Sequence, residues 1–201
     1  MTALLTPPPL ASSSSGPRPF RWTVARFHQL ADMGWFEGRR ASLIHGQLIE
    51  EGPMNPPHRI ALELTDIAVR AAFGSGWRPC GQMPLVFGTG TAPQPDLAMV
   101  KGSPRDSAVH PTTADLVIEI ADSSLDYDTT TKAELYATAG IADYWVLDVD
   151  GRRLLVFRDP VPLPAGLGAT AYHTRLTLTD AESISPLAAP TATVRVADLL
   201  P

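Results

Sequence analysis

The sequence predicts one domain of the α+β or α/β kind, with helices packed on a mixed sheet. Three observations predict it. Helical and strand-like patterns follow one another in the order helix, hairpin, helix, strands, helix, strands, with no internal repeat. The chain has 201 residues, 44% hydrophobic and 18% charged, enough for one substantial core and short for two. DLVIEIA, residues 115–121, reads as a buried strand, with five apolar residues, three of them β-branched, between Leu116 and Ala121.

Taken in order, residues 1–19 are rich in Pro and Ser and are expected to form a disordered tail, leaving residues 20–201 for the domain. Thr23 can cap a helix whose apolar positions Val24, Phe27, Leu30 and Ala31 recur at helical spacing until Gly34. ASLIHGQLIEEG, residues 41–52, reads as two strands about a His45-Gly46 turn. PMNPPH delivers His58 to a helix running to about Phe73, with Ile60, Leu64, Ile67, Ala68 and Ala71 as its expected apolar face. PLVFG and PQPDLAMV follow as two strand-like segments, and then the strand of residues 115–121. DSSLDYDTT offers caps for a helix through KAELYATAG, which Gly140 ends. DYWVLDVD, RRLLVFRDP and a strand from Tyr172 to Leu178 complete the pattern.

A formal net charge of -5 and a pI near 5.5 argue against a protein that coats nucleic acid through global charge. They leave a nuclease open, because an acidic metal site adds negative charge of its own. Cys80 is the single cysteine, which excludes an internal disulfide and any multi-cysteine zinc site and fits a reducing compartment. The five histidines never fall at the i, i+4 spacing of a zinc-binding helix. No apolar run approaches the ~20 residues of a membrane span, and the opening MTALLTPPPLASSSSG lacks a basic n-region. A cytoplasmic protein with no membrane partner is expected.

The chemistry begins at Glu119, which shares a strand face with Val117 and Ala121 and so lies among apolar neighbours. Asp96 opens another strand, with Ala98 and Val100 on its face. If adjacent strands bring the two carboxylates to about 4 Å, their repulsion at an effective dielectric of ~20 is on the order of 4 kcal/mol. A shared proton would offset that, and so would a divalent cation held by two carboxylates, a backbone carbonyl and waters. Lys132 follows on the next helix, with Tyr136 one turn further on. An ammonium at the edge of such a site can orient a water and stabilise charge building on a phosphate, which makes metal-assisted phosphodiester hydrolysis a coherent reading.

Each of these residues also has a plainer reading. Glu119 can pair with Lys or Arg at a partly exposed position, and Asp96 can simply start a strand or cap a turn. Lys132 can face solvent beside Asp128, four residues before it. His58 can be an exposed or satisfied helix-start histidine. Tyr144 and Trp145 read as core aromatics, and Asp122, Asp126 and Asp128 as helix caps. The basic pairs Arg39-Arg40 and Arg152-Arg153 read as solvated charges, with phosphate contacts as the alternative.

Pro95-Asp96, Glu119 in a strand and Lys132 in the following helix together resemble the PD-(D/E)XK nuclease superfamily, in the variant where the lysine sits on the helix. WTVARFHQLADMG, LIHGQLIEEGPMNPPH, APQPDLAMV and DLVIEIADSSLDYDTTTKAELYATAGIADYWVLDV resemble the Uma-type putative restriction endonuclease family over roughly residues 22–200. The resemblance implies an α/β fold of restriction-endonuclease type, a mixed central sheet flanked by helices. It implies Mg2+ or Mn2+ as cofactor and DNA as substrate. Asp96 and Glu119 would be metal ligands beside the carbonyl of Ile120, Lys132 the catalytic lysine, and Tyr136 a positional residue. Double-strand cleavage would take two active sites and suggests a homodimer. Family members commonly carry a glutamate where this chain has Ser42 and acidic residues at His45 and Gln47, so a ligand is lost here or its task has moved to Glu50 or Glu51. His58 is a further candidate accessory residue. The competing reading is a degenerate nuclease-like domain that binds DNA or protein without cleaving; a second is a hydrolase of small phosphoesters.

Overall fold

Six strands make the central sheet of the computed structural model, which describes residues 16–106, 109–163 and 170–201. In chain order the sheet strands are β3 (Trp77–Gly81), β4 (Leu97–Lys101), β5 (Leu116–Ala121), β6 (Asp143–Asp148), β7 (Arg153–Pro162) and β8 (Thr170–Thr179), and each lies beside the next. Only β5 and β6 run parallel. Between them the chain crosses over through helical turns, the connection a parallel pair requires. The expected mixed sheet flanked by helices is therefore what the chain forms. Most of the expected tail, residues 1–15, lies outside the described residues; residues 16–19 are exposed and form neither helix nor strand.

Alternation along the strands divides the core into two faces. Leu97, Met99, Leu116, Ile118, Ile120, Trp145 and Leu147 pack on one face against α2 (Pro56–Phe73) and the C-terminal segment. Ala98, Val117, Ala121, Tyr144 and Val146 pack on the other, under the crossover helices and Ile44 of a hairpin. That hairpin, β1 (Arg40–Ile44) with β2 (Gln47–Glu51), turns at His45 and Gly46, both in the left-handed region with φ of 49° and 77°. It leans on α1 (Val24–Asp32), whose Thr23 cap accepts from the Arg26 N–H, and the two share Phe27, Ala41, Leu43 and Ala92 as a third small cluster.

Two expectations need correction. The buried stripe of α2 is His58, Ala61, Thr65, Val69 and Phe73, while Ile60 and Ile67 of the expected apolar face are 40% and 66% exposed. Both stripes keep helical spacing, and Ala68 of the expected face still packs against the core from its margin. PLVFG is no strand, although Leu85 is buried. The strand of that region is WRPCG, β3, where Pro79 is tolerated because β3 is a sheet edge. Beyond Leu178, where the sequence pattern names no further element, β9 (Ser183–Ile184) pairs with β10 (Val194–Arg195), and a final 3-10 turn buries Val196 and Leu199 against α2.

Candidate functional site

Continuing the β4–β5 register by one residue beyond Leu97↔Ile118 sets Asp96 opposite Glu119 on the same face. Like charges in that position repel, and the ladder opens there. The Ile120 N–H donates to Asp96 Oδ2 at 2.9 Å, and the Asp96 N–H reaches Glu119 Oε2 at 3.4 Å. The strands part so that two carboxylates can share the gap, and both are buried, at 3% and 1% exposure. From the sequence their meeting is conditional on adjacent strands; the β4–β5 register meets that condition.

Lys132 and Tyr136 complete the Glu119 side. Lys132 Nζ lies 3.0 Å from Glu119 Oε2 and 3.1 Å from Asp128 Oδ1, and the Tyr136 hydroxyl donates to Glu119 Oε1 at 2.8 Å. The helix carrying them is interrupted. A short α turn, α3 (Leu125–Tyr127), runs into a π turn at Asp128–Lys132, then into α4 (Ala133–Thr138), which ends at Gly140 with φ of 76°. The wider turn seats Asp128 and Lys132 inward, and π turns of this kind recur at functional sites. Asp128 is only 1% exposed, so the solvated Asp128–Lys132 face read from the sequence is replaced by a buried pair.

The Asp96 side is built by the hairpin and by α2. Arg40 Nη2 lies 2.9 Å from Asp96 Oδ1 and 3.0 Å from Glu51 Oε2. His58, buried at the start of α2, points Nε2 at Asp96 Oδ1 from 3.3 Å, but off the hydrogen-bond direction, so that nitrogen has no well-directed partner. Asn55 caps α2 by accepting from the His58 N–H, and its amide also donates to Asp122. Glu50 lies on the rim with its carboxylate 3.6 Å from exposed Arg39; Glu51 is the one that turns inward. The sequence reads Arg40 as a solvated charge and Asp128 as a helix cap, and offers Glu51 together with Glu50 as a replacement ligand; the β1–β2 register, which sets Arg40 opposite Glu51, is the signal that ties those two to the site.

Arg40, Glu50, Glu51, His58, Asp96, Glu119, Asp128 and Lys132 line one cavity of about 300 Å³, with Tyr136 behind its wall. Burial pushes the Glu119 carboxyl up to about 8, with Asp96, Asp128 and Glu51 adding to the effect and Lys132 opposing it. Burial disfavours the Lys132 ammonium, yet the surrounding carboxylates outweigh that and raise its pKa. For Asp96 burial acts upward, but His58, Arg40 and the Ile120 N–H hold the carboxyl below its ordinary value. Asp128 is raised by burial against the pull of Lys132 and Ser124.

Among the described residues no three His, Cys, Asp or Glu side chains are gathered into a ready-made metal cage. What faces the cavity is Asp96, Glu119 and the backbone of Ile120, whose side chain packs on the opposite face of the sheet. A donor set of this size suits a hard cation that completes its shell with waters and substrate oxygens, as Mg2+ does.

No helix among the described residues is long and apolar enough to cross a membrane. A crystal structure of a putative nuclease belonging to DUF820 from Anabaena variabilis ATCC 29413 matches with a TM-score of 0.63 at 16% identity, covering 79% of this chain and 88% of that one. That likeness concerns the fold. No curated protein matches the chain. The Uma2 family, described as "Putative restriction endonuclease", matches over residues 24–194, from the first helix to the last short strand. The chain belongs to the Uma2 family.

Proposed function

We propose that this chain is a divalent-metal-dependent endonuclease that hydrolyses phosphodiester bonds in DNA, with Mg2+ or Mn2+ as its ion. One observation carries the reading. Glu51, Asp96, Glu119 and Asp128 face a single cavity against two permanently charged side chains, Arg40 and Lys132, so an added cation is the natural complement. Asp96, Glu119 and the Ile120 carbonyl would hold it, and when bound it supplies Lewis acidity for water activation and for the leaving oxygen.

The remaining work falls to the chain's own groups. Lys132 stays protonated because Glu119 and Asp128 surround it, so it serves as a hydrogen-bond donor to the attacking water and a phosphate oxygen, not as a base. Tyr136 fixes one Glu119 oxygen and leaves the other toward Lys132. His58 steadies Asp96, and Glu50 sits at the rim as an accessory acid. The working unit is residues 20–201 as one domain, paired as a homodimer for double-strand cutting and acting in the cytoplasm.

A second reading has its own support: every oxygen of Asp96 and Glu119 already lies against a proton-bearing protein group. That is how a degenerate domain, binding DNA or protein without cleaving, would look. Cleavage of duplex and single-stranded DNA with Mg2+ or Mn2+ separates the two. Wild-type cleavage that drops by about 10²–10³-fold in Glu119→Gln and in Lys132→Met is the expected result. Cleavage unaffected by both substitutions, or DNA bound but uncut with either ion, sinks the enzyme reading.

A further inference from the structure

We propose that Arg40 is a resident counter-ion of Asp96 that the divalent cation must displace, and that Glu51 is the positioning residue that draws it aside. The inference rests on the metal reading of the site. A single nitrogen, Arg40 Nη2, lies between the two acids, 2.9 Å from Asp96 Oδ1 and 3.0 Å from Glu51 Oε2. It therefore stands on an Asp96 oxygen that faces the cavity. The other oxygen, Oδ2, is held by the Ile120 N–H and is not free to take its place.

Arg40 is poorly satisfied in this position. Its Nε is buried with no hydrogen-bond partner, although a guanidinium normally shares several of its five N–H groups. Around it, two more buried polar atoms on the cavity wall meet only one charged neighbour each, His58 Nε2 with Asp96 Oδ1 at 3.3 Å and Asp128 Oδ1 with Lys132 Nζ at 3.1 Å. A cavity with an unpartnered guanidinium nitrogen on its wall and more carboxylates than cationic side chains is built for something charged or hydrated to enter.

Glu51 gives Arg40 somewhere to go. Its second oxygen, Oε1, accepts from the Ser42 hydroxyl at 2.7 Å, and fully buried Ser42 accepts in turn from the Gln94 N–H at 3.0 Å. The carboxylate is thus anchored to the backbone of the neighbouring loop. Arg40 can give up Asp96 and keep Glu51 with a small rotation, since it already touches both. Ser42 has in this arrangement a task that a longer acidic side chain could not perform, namely donating to Glu51.

The two residues should then act with opposite sign on cation affinity, which a merely structural role would not produce. Mn2+ binding to the full chain, measured by titration calorimetry without DNA, reads this directly. Arg40→Met and Arg40→Gln are expected to bind Mn2+ about tenfold more tightly than wild type, and Glu51→Gln about tenfold more weakly. Ser42→Ala shifts in the same direction as Glu51→Gln and by less, with circular dichroism confirming that each variant is folded. Equal or weaker binding in both folded Arg40 variants overturns the proposal, as does unchanged binding in Glu51→Gln. If wild type binds Mn2+, loses it in Glu119→Gln and is indifferent to Arg40, this inference alone falls. If no protein in the set binds Mn2+, the metal reading falls with it.

Discussion

Glu119 sits among Val117, Ala121 and Val146 and still keeps polar company, because Lys132, Tyr136 and the Asp96 N–H all converge on its carboxyl group. Those contacts lower the cost of burial without removing it, and its pKa rises from 4.5 to about 8. The folded, metal-free protein therefore binds a proton that the unfolded chain has already released over that interval. Stability contributed by that proton is present below about pH 4.5 and is lost as pH rises through about 8. Thermal melts of metal-free protein between pH 5 and 8.5 should show Tm falling on this account, and Glu119→Gln, which cannot ionise, should flatten the slope. A slope unchanged in the variant would assign the pH dependence to other groups. Added Mn2+ should offset the fall, since the ion binds the ionised form.

At the scale of elements, the site depends on one helix start and one helix interruption. The N-terminus of α2 is held by Asn55, which also ties Asp122 of the β5–α3 loop and sets the position of His58 beside Asp96. Asn55→Ala removes the cap and should cost about 1 kcal/mol in urea unfolding. It should lower cleavage by more than that loss of stability accounts for, because His58 and Asp122 are both released. An equal loss of both would mean that the cap serves the helix alone. The π turn at Asp128–Lys132 does comparable work on the other side, since it turns Asp128 and Lys132 inward together while Thr130 and Thr131 stay exposed.

Across the whole molecule, the fold closes through a buried ion pair that takes no part in lining the cavity. Asp143, fully buried at the start of β6, accepts from Arg158 of β7 at 2.8 and 3.2 Å, from Trp145 Nε1 and from the Leu187 N–H. Arg158 also donates to the Ser185 carbonyl, so the pair fastens the C-terminal segment to the sheet. Arg158→Met leaves Asp143 buried and short of a partner, at an expected cost of about 3–5 kcal/mol. Denaturant unfolding checks the number, and a loss below about 1 kcal/mol would show the pair to be screened by solvent.

The sequence by itself determined the order and identity of most elements, because period-2 and period-3.6 patterns, the Thr23 cap and the His45-Gly46 turn are local properties of neighbouring residues. It also singled out Asp96, Glu119 and Lys132, since charged groups in apolar strands or beside them are locally anomalous. Only the tertiary structure decided what those groups touch. The stripe of α2 that is buried, the edge strand through Pro79, the inward turn of Glu51 and not Glu50, and the Arg40 bridge to Asp96 all depend on contacts between residues distant in the chain. No local pattern carries that information, because register and packing choose among faces that the sequence alone leaves equivalent.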